Sequence, residues 1–386
     1  MAVEFLPGNR LTLLRSGVEY FPALEAAIRA ARREIFLETY IYAGDATGER
    51  ITKALCEAAR RAVAVHLLVD GFGSRDMPAQ FARELRDAGA RLLVFRPEVW
   101  RFPLRRDRLR RMHRKIAVAD GRIAFVGGIN IIDDMDTPRQ VPPRYDYAVR
   151  IEGPLLGPIQ DSAVRLWNRI AMARLEHRWR VSHPVPPHVA RAGSERAALA
   201  VRDNLRHRRD IEEAYLAAIA SAREEIIIAS AYFFPGRRFR RALTAAASRR
   251  VRVVVLLQGR VEYLLLYYAS RALYGMLLEA GVEIYEYQKG FMHAKVAVID
   301  GHWATVGSSN IDPFSLLLAR EANVVVDDRR FAGRLRDLLR ADMERGARVV
   351  AKTSWFRQPL RRRVTIWIAY ALARISIGMF GFGGRF

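Results

Sequence analysis

Two stretches of the chain, residues 112–130 (MHRKIAVADGRIAFVGGIN) and 292–310 (MHAKVAVIDGHWATVGSSN), repeat the same polar and glycine residues at the same spacing. In each, His is followed two positions on by Lys, then by Asp, Gly and Asn: His113, Lys115, Asp120, Gly127 and Asn130, then His293, Lys295, Asp300, Gly307 and Asn310. These residue types suit one chemistry. Neutral imidazole is a nucleophile or general base near neutral pH, and a protonated imidazole can return its proton to a departing alkoxide. Lys brings charge to phosphoryl oxygens, while Asn130, Asn310 and the hydroxyls of Ser308 and Ser309 add donors. Gly128, after Gly127, lets backbone approach a ligand closely. Two copies place one His on either side of a phosphodiester. A duplication kept only for packing would hold its apolar residues; here those drift while His, Lys and Asn stay.

The paired HxKxxxxD motifs, with their trailing GGxN and GSxN, resemble the phospholipase D superfamily. The longer run GSSNIDPFSLLLAREANVVV, residues 307–326, is similar to the bacterial cardiolipin synthases, in particular the shorter branch without two N-terminal membrane helices. The resemblance covers roughly residues 9–349. It implies a two-step transfer at phosphorus: His113 forms a phosphohistidine, and His293 protonates the leaving alcohol and then deprotonates the incoming one. Lys115, Lys295, Asn130, Asn310, Gly128, Ser308 and Ser309 would surround the phosphate. Phosphatidylglycerol is the implied donor and acceptor, cardiolipin the product, with no metal and no cofactor. The motif acids Asp120 and Asp300 are counted with the catalytic set, closing turns or ion pairs rather than touching substrate. Asp146 and Glu321, on strands after each motif, would each fix the tautomer of the His in its own half. Phe314 stands where the longer synthases carry Arg, which bears on substrate choice. Two other readings stay open: a phospholipase D or nuclease of the same superfamily, and a non-catalytic protein that binds anionic membranes. Phosphatidylglycerol vesicles and plasmid DNA separate them by product.

Composition narrows the setting. With 386 residues, 51% of them hydrophobic, the chain is long enough for two cores. A single cysteine, Cys56, excludes an intramolecular disulfide framework. Lys and Arg number 64 against 41 Asp and Glu, a net charge of +23, so the partner should be anionic, a lipid surface or nucleic acid, with nucleic acid the less favoured. The first ten residues carry no apolar signal core. Together these point to the cytoplasmic face of a bacterial inner membrane, held peripherally or monotopically.

The elements that must position the motifs repeat as well. Residues 11–21 read as a strand and loop, followed by an amphipathic helix over residues 22–33 with Pro22 in its first turn. Strands over residues 34–42, 64–71 and 90–95 alternate with helices over residues 49–61 and 80–88. In the second half, helices over residues 211–225 and 238–248 precede strands that begin near 226 and 251. A longer helix spans residues 262–280. The expectation is an α/β protein of two similar phospholipase D-like α/β/α sandwich domains, related by a pseudo-two-fold axis, with the active site at their interface. The domains run over residues 1–182 and 198–350, joined by a linker at 183–197 that contains His183 and His188, both read as solvated. Just before His113, Arg96, Arg101, Arg105, Arg106, Arg108, Arg110 and Arg111 are interleaved with Trp100, Phe102 and Leu109. This segment reads as a lip for lipid headgroups. The tail, residues 351–386, couples Arg357 and Arg361, Arg362 and Arg363 to a 21-residue apolar run interrupted by Arg374, with Trp367, Tyr370, Phe380 and Phe382. It reads as a helix lying in or dipping into the membrane interface rather than crossing it.

Overall fold

The computed structural model describes residues 3–97, 110–137, 141–203, 206–260 and 264–379. In the first half, β1 (Leu6–Arg15), β2 (Glu34–Thr39), β3 (Ala64–Asp70) and β4 (Arg91–Phe95) alternate with α1 (Ser16–Ala30), α2 (Ala46–Arg60) and α3 (Ala79–Asp87). Then come β5 (Lys115–Ala119), β6 (Ile123–Gly127), β7 (Val141–Tyr145), β8 (Tyr147–Glu152) and α4 (Leu156–Ala173). The second half opens with β9 (Glu195–Arg202), α5 (Asp210–Ser221), β10 (Glu225–Ser230), α6 (Arg237–Ser248) and β11 (Arg252–Gln258). It continues through α7 (Leu264–Arg271), α8 (Tyr274–Glu279), β12 (Glu283–Tyr287), β13 (Gly290–Met292), β14 (Lys295–Ile299), β15 (Trp303–Gly307) and α9 (Pro313–Leu317). It closes with β16 (Glu321–Asp327), α10 (Arg329–Gly346), β17 (Ala347–Val349), α11 (Lys352–Phe356) and α12 (Leu360–Met379).

The continuous apolar runs of β2, β3, β10 and β11 are buried on both faces, as parallel strands flanked by helices must be. Strand order gives the symmetry: β1-β8-β6-β5-β2-β3-β4 in one half is matched by β9-β16-β15-β14-β10-β11-β12 in the other, and β1 pairs with β9 to make one 15-stranded sheet. Three apolar cores follow. One lies over the outer face of each half, beneath α1 and α2 or beneath α5 and α6. The third is shared: α4 and α10 cover the same side of the joined sheet, and residues from both halves fill it.

Several local expectations change. The first helix begins at Ser16, so Pro22 sits inside it rather than in its first turn. Distant contacts set that start: the Ser16 N–H donates to the Asp146 carbonyl, and the Gly17 N–H to the Asp134 carboxylate. The single helix expected over 262–280 is two, α7 and α8, separated near Ala272. The interdomain segment is pinned to the first half, with the Val185 N–H on Glu34 (3.0 Å) and the His188 N–H on the Gly121 carbonyl (2.7 Å). From Glu195 it is already strand β9.

The tail packs on the protein. α12 runs along α7 and buries Ile366, Ala369 and Ala373, with the Tyr370 ring 5.8 Å from Phe234. Its other side leaves Leu360, Val364, Trp367, Ile368, Leu372 and Ile375 exposed at helical spacing. Among the described residues, no helix is long and apolar enough to cross a membrane. Phe380 and Phe382 lie outside the described residues, as do Trp100, Phe102, Leu109, Arg101, Arg105, Arg106 and Arg108 of the arginine-rich lip.

Candidate active site

Each motif is built on a β-hairpin. Asp120-Gly121 and Asp300-Gly301 all have positive φ (52°, 62°, 50° and 63°), the turn that joins β5 to β6 and β14 to β15 with the right twist. The Asp120 carboxylate accepts the N–H groups of Arg32, Arg33 and Glu34 at 2.8, 2.8 and 2.9 Å. Asp300 does the same for Arg223, Glu224 and Glu225 at 2.8, 2.9 and 3.0 Å. The motif acids therefore clamp the hairpin to the strand beside it. They sit beyond the far end of a five-residue strand, itself about 16 Å long, from the His, out of contact with the rings.

At the near end the two halves interlock. The His113 N–H donates to the Arg320 carbonyl (2.9 Å), and the Arg320 N–H to the Arg111 carbonyl (2.7 Å). By the matching bonds of the other half, the His293 N–H donates to the Tyr145 carbonyl (2.7 Å), and β13 pairs in parallel with β7. Arg320 and Tyr145 immediately precede Glu321 and Asp146. The cross-pairing therefore delivers each acid to the other half's imidazole: His113 Nδ1 lies 3.0 Å from both oxygens of Glu321, and His293 Nδ1 lies 2.7 Å from Asp146 Oδ2. This corrects the expectation that each acid serves the His of its own half. The pairs are exchanged because backbone pairing across the seam, not strand order within a half, sets which ring an acid meets.

The carboxylates are sealed (side-chain exposure 0% for Glu321, 3% for Asp146), while the imidazoles keep 14% and 12% open. With Nδ1–H given to a carboxylate, each ring turns the lone pair of Nε2 outward. Lys295 Nζ also comes within 2.8 Å of His293 Nδ1, but that nitrogen cannot accept from Lys while donating to Asp146. The charged Asp146 is the better partner, and Lys295 donates to the His293 carbonyl instead. Lys115 makes the same bond to the His113 carbonyl at 2.6 Å.

The glycine and serine positions answer to the acids. A Cβ at Gly128 would stand 2.3 Å from Asp146 Oδ1, so glycine there makes room for the carboxylate. Ser308, its counterpart, is fully buried and donates to Glu321 Oε2 at 2.5 Å. Both were expected to face substrate; both hold an acid instead. Ser309 is buried, with its hydroxyl on the Asn310 carbonyl (3.3 Å). Asn130 and Asn310 spend their amide oxygens on the N–H groups of Ile41 (3.1 Å) and Tyr232 (3.4 Å), which leaves the amide nitrogens as donors.

Burial shapes the electrostatics. It holds the His293 imidazolium down to a pKa of about 3, with Lys295 adding to the depression against the pull of Asp146. His113 is lowered for the same first reason, opposed by Glu321. Lys115 falls to about 7 through burial, with Glu321 opposing and Lys295 reinforcing the drop. Burial raises Asp146, yet Lys295 and His293 outweigh it and the carboxyl ends below its usual range. The charges of Lys115 and Lys295 act on both imidazoles, so the two motifs form one site. Neutral rings thus stand beside the Lys115 and Lys295 side chains, with Lys295 Nζ 3.6 Å from Asp146 Oδ2, a surround suited to a phosphodiester anion.

Sequence reasoning passed over Tyr40, whose ring lies edge-on to His113 (4.8 Å between centroids) with Lys115 Nζ 5.4 Å from its centre. It also passed over the buried pair of Arg114 and Glu38 (2.6 Å), which fixes the backbone next to His113. The apolar neighbours of a strand end gave no signal for either.

A family model described as "Cardiolipin synthase, PLD-like domain" matches residues 24–142 and 215–343, one segment in each half. The chain is 42% identical over 339 residues to cardiolipin synthase B of Escherichia coli (strain K12), covering 88% of this chain and 81% of that one. It is 32% identical over 360 residues to a cardiolipin synthase of Geobacillus kaustophilus, covering 92% and 70% respectively. Among solved structures, the phosphatidylserine synthase of Haemophilus influenzae Rd KW20 superposes with a TM-score of 0.73 at 12% identity, covering 99% of this chain and 97% of that one, a likeness of fold.

Proposed function

Since the chain belongs to the phospholipase D-like cardiolipin synthase family, we propose that it is a phosphatidyltransferase that joins two phosphatidylglycerol molecules into cardiolipin and releases glycerol. The observation that carries this reading is the crossed pair of His–carboxylate contacts, which aims two Nε2 atoms into one lysine-flanked site.

His113 Nε2 attacks phosphorus as the bond to the glycerol oxygen breaks, and His293 gives that oxygen its proton. The phosphatidyl group rests on His113 through a P–N bond. A primary hydroxyl of a second phosphatidylglycerol then loses its proton to His293 and attacks the same phosphorus, and the P–N bond breaks. Lys115, Lys295 and the amides of Asn130 and Asn310 offset the extra charge on five-coordinate phosphorus. Burial holds His293 neutral; a bound phosphodiester brings negative charge and raises its proton affinity, so acid and substrate arrive together.

The exposed side of α12, the run Arg361, Arg362 and Arg363, and the net charge of +23 support work on an anionic membrane surface at the cytoplasmic face. The test is mass spectrometry of lipids from cells expressing the parent, His113→Ala and His293→Ala. New cardiolipin from the parent alone is expected, each substitution costing at least about 10³-fold. Phosphatidic acid as the sole product, or nicked plasmid DNA, would replace the synthase with a hydrolase.

A further inference from the structure

The two halves are not equivalent beside their imidazoles. Thr39 and Ser230 occupy the same place, each hydroxyl on the carbonyl two residues on (2.8 and 2.7 Å), and each pairs with the penultimate residue of the next strand. That register matches Tyr40 with Ala231 and Asp70 with Gln258. In the first half Tyr40 fills the space beside His113, and the buried Asp70 is saturated by the N–H groups of Phe72, Gly73 and Met112 at 2.9, 3.1 and 2.8 Å.

In the second half the smaller Ala231 leaves a half-open cavity of about 30 Å³, lined by Ala231, Tyr232, Gln258, Ser270, Arg271 and Tyr274. Gln258 is 7% exposed, and neither its Oε1 nor its Nε2 has a hydrogen-bond partner. A buried amide left so bears an unrecovered desolvation cost, which a ligand hydroxyl would offset. Arg271 Nε is also unpartnered, while its Nη2 is held by Glu286 at 2.5 Å. The Arg271 charge is therefore matched by Glu286, and Arg260, also on the cavity wall, donates through Nε to the Gln288 carbonyl (2.9 Å), so the unmet Gln258 amide, both donor and acceptor, favours a neutral donor-acceptor group over a second phosphate. By volume it takes one or two hydroxyl-sized groups, not an acyl chain. It also adjoins the chemistry: the Ala231 N–H donates to the carbonyl of Ala294, next to His293 (3.0 Å), and Ser230 pairs with Lys295.

We infer that this cavity is the alcohol subsite, in which Gln258 holds the hydroxyl vicinal to the reacting oxygen of a glycerol headgroup. The inference rests on the phosphatidyl-transfer reading and deepens it. Leaving glycerol and incoming headgroup occupy the same face of phosphorus, so one cavity beside His293 serves both, and the side filled by Tyr40 belongs to the nucleophile.

The test uses vesicles of phosphatidyl-p-nitrophenol, whose leaving group lacks the vicinal hydroxyl, with glycerol or 1,3-propanediol as acceptor. Nitrophenol release reports the first step, and the ratio of transfer product to phosphatidic acid reports the second. The parent should favour glycerol over 1,3-propanediol by tenfold or more. Gln258→Leu, and Ala231→Tyr, which rebuilds the wall of the first half, should bring that preference to within about twofold. The ratio is read only on molecules that turn over, so partial misfolding does not mimic the result. Absence of nitrophenol release from the parent would overturn the transfer reading itself. Release without a glycerol preference in the parent, or with that preference intact in both variants, would overturn the subsite alone. If neither variant turns over, the preference of the parent decides.

Discussion

At the scale of single residues, the site separates groups that react from groups that aim. Asp146 and Glu321 lie buried behind the rings, yet each sets which nitrogen of a ring is free. Asp146→Asn and Glu321→Gln should each lower kcat at least about 100-fold with little change in KM, since the amide favours the wrong tautomer. The double variant should fall short of the product of the two, because both act on one transition state; vesicle assays of all three check this. The lysines give a pH signature. Lys115 is charged below its pKa of about 7 and neutral above it. Capture of the phosphodiester, read as kcat/KM between pH 6 and 9, should therefore decline as pH rises through about 7, and the residual activity of Lys115→Met should lack that limb.

Among elements, the hairpins carry the motif and the clamp holds each hairpin to its neighbour. Asp300→Ala strips three N–H groups of their acceptor and puts alanine at positive φ, which should cost about 2 kcal/mol and lower the Tm by a few degrees. The Asp300 carboxyl is raised by burial but lowered more by those three donors, to a net value below the usual 3.8. Its contribution is thus present above the unfolded-state value and lost as pH falls through the folded one, so an acid melt should find parent and variant converging. Much at this scale was legible in sequence. The runs that became β2, β3, β10 and β11 are apolar in their centres and rich in Val, Ile and Leu, and the repeat tied each to its counterpart. The start of α1 was not legible, because Asp134 and the Asp146 carbonyl, more than a hundred residues away, fix it. Nor was the exchange of acids: Asp146 and Glu321 stand at matching places after their motifs, and nothing local says that a strand edge from the other half will intervene. Ser308 misled for a related reason, since a hydroxyl beside a motif looks the same whether it faces a phosphate or a buried carboxylate.

For the whole molecule, one sheet and one shared core make the two repeats a single body, and its basic surface and the open side of α12 define how it meets lipid. Trp367, Ile368 and Leu372 are 59%, 55% and 50% exposed, whereas Ile366, Ala369 and Ala373 hold the helix to the protein. Changing the three exposed residues together to Ser should leave the melting temperature nearly unchanged and weaken sedimentation with phosphatidylglycerol vesicles by at least about tenfold. Raising salt should weaken the parent further through Arg361, Arg362 and Arg363. The exchanged acids also limit how such a body can move. Were the repeats to hinge apart, both rings would lose their anchors in the same instant, so turnover must proceed on a closed frame past which the lipids slide.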